Sequence, residues 1–369
     1  VTSEYRAQAD ALDTRILAAI AAYLDGRHRA LDDAAFDALA CDVFAHQFRW
    51  NAPYAAYARS LGVSASALPR TAAEIPAVPG AAFKDAALCT VAPAAAAIWF
   101  ETSGTTQARS GRHYLESPRL YEAALLAGFD RAMLADGARL RYAMLVPDPR
   151  ERPHSSLGYM LATVARERGD GADGWYVHGD ALDVGRLQAD VARAHADGAG
   201  LCVATTAFAL VALLDELAAT GATLALPPGS RVMETGGFKG RTRIVGRDEL
   251  YARAAAAFAI DEAAIVAEYG MTELSSQYYD SAPSRASQRR LKIPPPWLRP
   301  MIVDTFGKPL PDGIVGAIRH IDCANRSSVV AIDTEDLGVI TPDGLLLLGR
   351  EEGAALRGCS LDAEDLLRR

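Results

Sequence analysis

Three stretches of the chain carry side chains whose types and spacing suit the handling of a phosphorylated ligand. Glu101 to Gly111, ETSGTTQARSG, sets the hydroxyls of Thr102, Ser103, Thr105 and Thr106 among small residues directly after the apolar pair Trp99 and Phe100. Small residues let the backbone approach an anion, and hydroxyls add donors beside exposed N–H groups, so a phosphate fits there. No Gly-Lys pair closes the segment, which separates it from a GxxxxGK[ST] loop, and on its own it reads equally well as an ordinary turn. Val266 to Gln277, VAEYGMTELSSQ, passes from an apolar run into a polar turn. There Tyr269 offers a flat face for a base and Glu273 a carboxylate able to hold Mg²⁺ between phosphate oxygens. Asp336, in DTEDLG, follows a strand-like run, where an ionised carboxylate can accept hydrogen bonds from a ribose diol. Taken singly, each has a plainer role: a packing ring, a helix-start carboxylate, a turn-former.

The elements that must position these residues change character along the chain. The first fifty residues are helical in period, with Leu12, Ile16, Ile20 and Tyr23 on one face, Phe36, Leu39, Val43 and Phe44 on another, and Gly26 between. From about Arg139 to Gly270, short apolar runs (LRYAMLVP, LCVATT, SRVMETGG, AIVAEYG) alternate with helix-like segments such as Val184 to Ala196 and Phe208 to Ala219. That alternation predicts β-α units around a mostly parallel sheet, with ligands at the strand ends. SAPSRASQRRLKIPPPWLRP, from Ser281, reads as a connector or long surface loop. Short apolar strands with PDG turns then predict a small antiparallel sheet or partial barrel.

Composition excludes several classes. Among 369 residues, half are hydrophobic and 23% charged, enough apolar material to bury a core. Thirty-eight Lys and Arg stand against 46 Asp and Glu with no basic run, which argues against nucleic acid or an anionic membrane as partner. The five cysteines are scattered, with no CxxC and no histidine at metal spacing, so neither a disulfide framework nor structural zinc is expected. The longest uncharged stretches, Ala86 to Phe100 and Leu201 to Leu214, fall short of the roughly 20 residues of a membrane span. With no apolar signal region at the start, a cytoplasmic location is the expectation.

In order, TSGTT, METGG, EYGMTE, TEDLG and LLGR resemble the adenylate-forming superfamily of acyl-CoA synthetases, adenylation domains and luciferases, as does DTFGKPLPDGIVGAI from Asp304 to Ile318. The resemblance covers about Phe83 to Glu364. Within that superfamily the chain is similar to LuxE-type acyl-protein synthetases, through AAFKDAAL, PHSSLGYML, METGGFKGR, AEYGMTELSSQYY and LRGCSLDAEDLL. The resemblance implies the α/β fold of the adenylate-forming large domain, with mostly parallel sheets, flanking helices and a small C-terminal β-barrel-like subdomain. Its organisation would be a helical lead-in over 1–80, a nucleotide- and acyl-binding core over 81–290, a β-rich subdomain over 291–349 and a hinge-like tail over 350–369. The usual mobile C-terminal lysine-bearing domain is expected to be absent.

The resemblance also implies roles. ATP and Mg²⁺ would serve to activate a carboxylic acid, in the first instance a fatty acid. Thr102, Ser103, Gly104, Thr105 and Thr106 would hold the phosphates, and Glu273 with Thr272 would position Mg²⁺. Gly236, Gly237, Tyr269, Gly270 and Met271 would frame the adenine side of the nucleotide. Asp336 would grip the ribose, assisted by Arg350. The superfamily loop TSGTTGxPKG is altered here, with Gln107 at the second Gly, Ser110 at the Lys and Arg109 one residue earlier as a candidate cation. Lys84 or Lys239 could stand in for the C-terminal lysine, and Lys239 and Arg241 are candidates for phosphate or hinge contacts, or plain surface charges. His154 resembles the position that walls the acyl pocket, to which Tyr159, Met160, Phe208 and Phe238 could add apolar surface. Cys359, with Arg357 close by, would take the acyl group as a thioester for a partner such as a reductase. The alternative is a ligase that passes the acyl group to CoA, a carrier-protein thiol or an amine.

Overall fold

The computed structural model describes residues 2–26, 31–102, 110–179, 181–236, 246–280 and the backbone of 290–350, with side chains through Gly349. The chain forms two compact units. One comprises Val1–Gly128, Met271–Tyr278 and Leu291–Arg369; the other comprises Phe129–Gly270 and Tyr279–Arg290.

In the first unit, helices α1 (Ser3–Leu24), α2 (Asp33–Trp50) and α3 (Ala52–Ser60) each start on a side-chain cap. Thr2, Asp32 and Asn51 accept from backbone N–H groups of Tyr5, Ala35 and Tyr54, satisfying donors that the first turn leaves open. The apolar faces expected from the sequence are buried on α1 and α2. After β1 (Val78–Pro79), strands β2 (Ile98–Glu101) and β3 (Arg112–Leu115) form an antiparallel hairpin, followed by α4 (Arg119–Met133).

The second unit runs through β4 (Arg141–Pro147), α5 (Ser156–Arg168), β5 (Gly174–His178), β6 (Ala181–Leu182), α6 (Val184–Asp197), β7 (Leu201–Thr206), α7 (Ala207–Thr220), β8 (Arg231–Thr235), α8 (Arg247–Phe258), β9 (Ile265–Tyr269) and β10 (Tyr278–Asp280). The strand order is β10-β9-β8-β7-β4-β5-β6, and β9, β8, β7, β4 and β5 are parallel. This is the mostly parallel sheet the alternating pattern predicts. Leu187 and Val191 of α6, Leu210 and Leu214 of α7, and Leu250 and Phe258 of α8 share one core with Leu145, Val203, Val232 and Ile265 of the strands. Each such side chain contributes about 1.5–3 kcal/mol by burial. Tyr142 points to the opposite face, as alternation along a strand requires, and meets Phe129 of α4 with ring centroids 5.9 Å apart.

Helices α6 and α7 end on left-handed glycines, Gly198 and Gly221. Helix α8 ends instead on Ala259, at φ 53°, a conformation that crowds a Cβ. Ala259→Gly is therefore expected to raise stability by about 0.5–1 kcal/mol, read as a higher midpoint in urea.

The chain then returns to the first unit through β11 (Lys292–Ile293), β12 (Leu298–Val303), β13 (Gly316–Asp322), β14 (Ala331–Thr341) and β15 (Gly344–Arg350), ordered β12-β13-β14-β15-β11 with antiparallel pairing. Strand β14 is long enough to hold β1 in parallel at Ile332 and Asp333 and β15 further along, from Asp336. Within the segment from Ser281 to Pro300, residues 290–300 depart from a surface connector. Residues 281–289 lie outside the described residues, but Lys292 and Trp297 are fully buried, and the Trp297 indole N–H donates to Ser276 Oγ at 3.0 Å. Pro300 fits an edge strand, since it lies in β12 at the end of the sheet order. Among the described residues, no helix is long and apolar enough to cross a membrane.

Candidate active site

The hydroxyl-rich segment connects β2 to β3 in the chain. Of its candidates, Ser103, Gly104, Thr105, Thr106 and Arg109 lie outside the described residues; the neck of the loop does not. Thr102 N–H donates to Gly111 O at 3.0 Å, and Gly111 N–H donates to Thr102 Oγ1 at 2.9 Å, so the Thr102 hydroxyl oxygen closes the loop base. Gly111 sits in close approach: a Cβ there would lie 3.0 Å from the backbone carbon of Phe83, so that backbone would have to give by a few tenths of an ångström.

Met271, Thr272 and Glu273 form a turn in the same unit, and Glu273 is buried. Two side chains hold that turn by its backbone. His113, in the middle of β3 and opposite Phe100, places Nδ1 2.7 Å from Thr272 O and Nε2 2.8 Å from Asn325 Oδ1. Asn325, in the β13–β14 connection, donates through Nδ2 to Glu273 O at 2.9 Å and to Val329 O at 2.8 Å, and its Oδ1 accepts from Ser275 Oγ at 3.1 Å. Asp322 completes the support, accepting from Ser275 N–H at 2.9 Å and Ser276 Oγ at 2.8 Å; burial pushes its carboxyl up to about 6. Burial pushes the His113 imidazole down to about 4, opposed by its contacts to Thr272 O and Asn325 Oδ1, which favour a proton on each ring nitrogen.

Asp336 lies on β14 directly opposite Arg350 on β15. That register joins the two residues expected at the sugar and the hinge. Thr102, Met271, Thr272, Glu273, Asp336 and Arg350 thus belong to one unit.

The α1–α3 helices brace this arrangement from behind the β13–β14 connection. Gln47 Nε2 donates to the carbonyls of Asn325 and Arg326, and Asn51 donates to Ser328 O. Arg326, buried, is paired with Asp13 at 2.5 Å and Glu116 at 2.8 Å. His46 stands 3.5 Å from Arg326 and against the Tyr5 ring. Burial, reinforced by the Arg326 charge, pushes its imidazole down to about 4. The unfolded chain therefore binds this proton first as pH falls below the ordinary histidine value of about 6.5. The stabilisation is complete above that value and is lost as pH drops toward 4. Relative to His46→Gln, wild-type protein is expected to lose roughly 1 kcal/mol, or about 2–4 °C of melting temperature, between pH 7 and pH 5.

The second unit carries Gly236, Tyr269, Gly270 and His154. Gly236 leaves β8 at φ 79°, a turn that favours glycine, and is exposed. Thr235, the last residue of β8, donates its hydroxyl to the Glu268 carboxylate on β9, tying two parallel strand ends. Tyr269 and Gly270 follow at the end of β9 and are half-buried. His154 lies just before α5, next to the capping Ser155, and is half-buried. Met160 is core of α5, whereas Phe208, at the start of α7, is partly exposed. Gly237, Phe238, Lys239, Arg241, Arg357 and Cys359 lie outside the described residues, as does the Arg350 side chain.

Among the described residues, no cluster of three or more His, Cys, Asp or Glu forms a protein cage for a metal. A single carboxylate such as Glu273 fits Mg²⁺, which is usually bound through one or two carboxylates, waters and substrate phosphates.

The mixed α/β architecture is that of adenylate-forming enzymes. The chain superposes on 2-hydroxyisobutyryl-CoA ligase, solved with 2-HIB-AMP and CoA, with a TM-score of 0.62 at 14% identity over 88% of this chain and 77% of that one. McyG A-PCP with phenylalanyl-adenylate gives 0.50 at 17% identity over 71% and 42%. ATP-bound MatB from Rhodopseudomonas palustris gives 0.47 at 16% over 71% and 49%, so the chain spans about half the length of MatB. No curated protein matches the sequence. The model of the acyl-protein synthetase LuxE family matches residues 28–367, and the chain belongs to that family, one of ligases by its description.

Proposed function

We propose that the protein activates a carboxylic acid with ATP and then transfers the acyl group to a thiol of its own. The family match over nearly the whole chain carries this reading, supported by the grouping of the hairpin neck, the Thr272–Glu273 turn and Asp336 in one unit. In the first half-reaction a carboxylate oxygen of the acid attacks the α-phosphorus of ATP; the bond to the β-phosphate bridging oxygen breaks, and pyrophosphate leaves with its electron pair. Both reactants are anions, so catalysis rests on alignment and on neutralising charge. The loop 103–106 holds the phosphates and Arg109 supplies a cation. Gly236, Gly237, Tyr269, Gly270 and Met271 frame the base, and Asp336 with Arg350 holds the ribose. Glu273 beside Thr272 would hold Mg²⁺, which when bound would supply charge neutralisation at the phosphates. His154 walls the acyl side.

In the second half-reaction the Cys359 thiolate attacks the acyl carbonyl, AMP departs, and a thioester remains for an acceptor protein or a reductase in the cytoplasm. A fatty acid is the first substrate to try. Acid-dependent exchange of labelled pyrophosphate into ATP tests the first step. Exchange above background with one class of acid is the expected result, and no exchange with any carboxylic acid overturns the reading. Stoichiometric release of AMP only when CoA, a carrier protein or an amine is supplied would instead assign an external acceptor.

A further inference from the structure

Neither ring nitrogen of His113 is accounted for by the chemistry above, yet the residue is fully buried in the strand that closes the hydroxyl-rich loop. Its imidazole packs edge-on against Phe83, 5.8 Å between centroids and 87° between planes. It spans from Thr272 O to Asn325 Oδ1. The amide of Asn325 can face only one way: turned over, its oxygen would meet the carbonyls of Glu273 and Val329, which now accept from Nδ2. The carbonyls of Thr272 and Glu273 are thus each held by one of two side chains that also touch each other. A backbone anchored at successive carbonyls has little freedom to shift relative to β3, two residues from the loop neck at Gly111.

We infer that His113 and Asn325 are positioning residues that lock the Thr272–Glu273 turn to the β2–β3 hairpin, so that the groups taking Mg-ATP keep a fixed register; the inference rests on the adenylation reading. Neither residue touches substrate. Supporting residues of this kind change affinity or rate by roughly 10–100-fold when removed, because small displacements of aligned groups are costly.

The test compares His113→Phe, which keeps a flat ring without donors, with His113→Asn, whose Nδ2 can reach toward Thr272 O. Asn325→Asp, which replaces the amide donor by an acceptor, is the third variant. In pyrophosphate exchange, His113→Phe and Asn325→Asp are expected to lower kcat/KM for Mg-ATP roughly 10–100-fold while KM for the acid stays within about twofold, and His113→Asn is expected to recover most of the loss. Calorimetric titration of each variant with ATP and Mg²⁺ should show the same order in affinity. An unchanged kcat/KM for Mg-ATP in folded His113→Phe, an equal rise in both KM values, or no recovery in His113→Asn overturns the inference. If His113→Phe does not fold, the same outcomes are read from Asn325→Asp against wild type. Wild-type protein that binds ATP but exchanges no pyrophosphate with any acid overturns the adenylation reading alone, since the ATP titrations still decide the positioning role; wild-type protein that binds no ATP overturns both.

Discussion

Cys359→Ser is expected to abolish hydroxylamine-sensitive acylation of the protein while leaving acid-dependent pyrophosphate exchange within about twofold of wild type. The thiolate is the attacking species, and a serine hydroxyl at the same place is almost never ionised near neutral pH. The other four cysteines are held in surroundings that oppose thiolate formation. Cys202 and Cys323 are fully buried and Cys89 is buried, with burial pushing each thiol up, Cys202 to about 12. Cys41 is half-buried, and burial together with nearby Asp37 and Asp42 pushes it up to about 11. Structural thiols of this kind are poor nucleophiles. The measurement is scintillation or intact mass after incubation with Mg-ATP and acid, with and without neutral hydroxylamine. A label that persists in Cys359→Ser would move the acceptor elsewhere, first to Cys41 as the most accessible of the four. Loss of exchange together with the label would instead place Cys359 in the first half-reaction.

Much of the second unit was legible in the sequence because strands such as β4 and β7 are buried on both faces and β7 ends in a capping residue. LCVATT becomes β7 and hands directly over to α7, with Thr206 as the cap. Val184 and Phe208 likewise fall at the starts of α6 and α7 within one residue of where the period places them. The ordered motifs were legible for a different reason: each is a contiguous stretch whose spacing survives without knowledge of the fold.

What composition and period could not show are contacts made by topology alone. His113 in RHYLES reads as a lone strand histidine, and Asn325 in ANRSS as a turn residue, yet they meet across 212 positions, and His113 reaches Thr272 across 159. Arg326 and Asp13, 313 positions apart, form a buried pair that ties the N-terminal helices to the same connection. Those helices, which look like a lead-in, therefore bear on the backbone beneath Glu273. Trp297 was hidden by composition: a basic, proline-rich neighbourhood signals surface, while the indole itself fills the core and spends its N–H on Ser276.

That backbone anchoring makes Glu273→Gln an informative substitution. The atom that Asn325 holds is the Glu273 carbonyl oxygen, so exchanging the carboxylate for an amide of the same shape leaves the turn's anchor in place. What changes is charge. A neutral amide is a weaker ligand for a hard divalent cation than a carboxylate, so less of the charge on the reacting phosphates is neutralised. Glu273→Gln is expected to lower kcat for pyrophosphate exchange by about 10²–10³-fold, or roughly 2.7–4 kcal/mol, with a much smaller rise in KM for ATP. Higher Mg²⁺ should restore part of the loss, because the defect is in holding the cation, whereas raising ATP alone should restore little. Asp336→Asn provides the contrast: a residue that grips the ribose contributes to ground state and transition state alike, so its loss should appear mainly in KM for ATP. Thermal melts of the two variants should match wild type within about 2–4 °C, the shift expected for 1 kcal/mol or less. Wild-type exchange in folded Glu273→Gln would remove the carboxylate from the metal site, and with it the assignment of this turn to the phosphates.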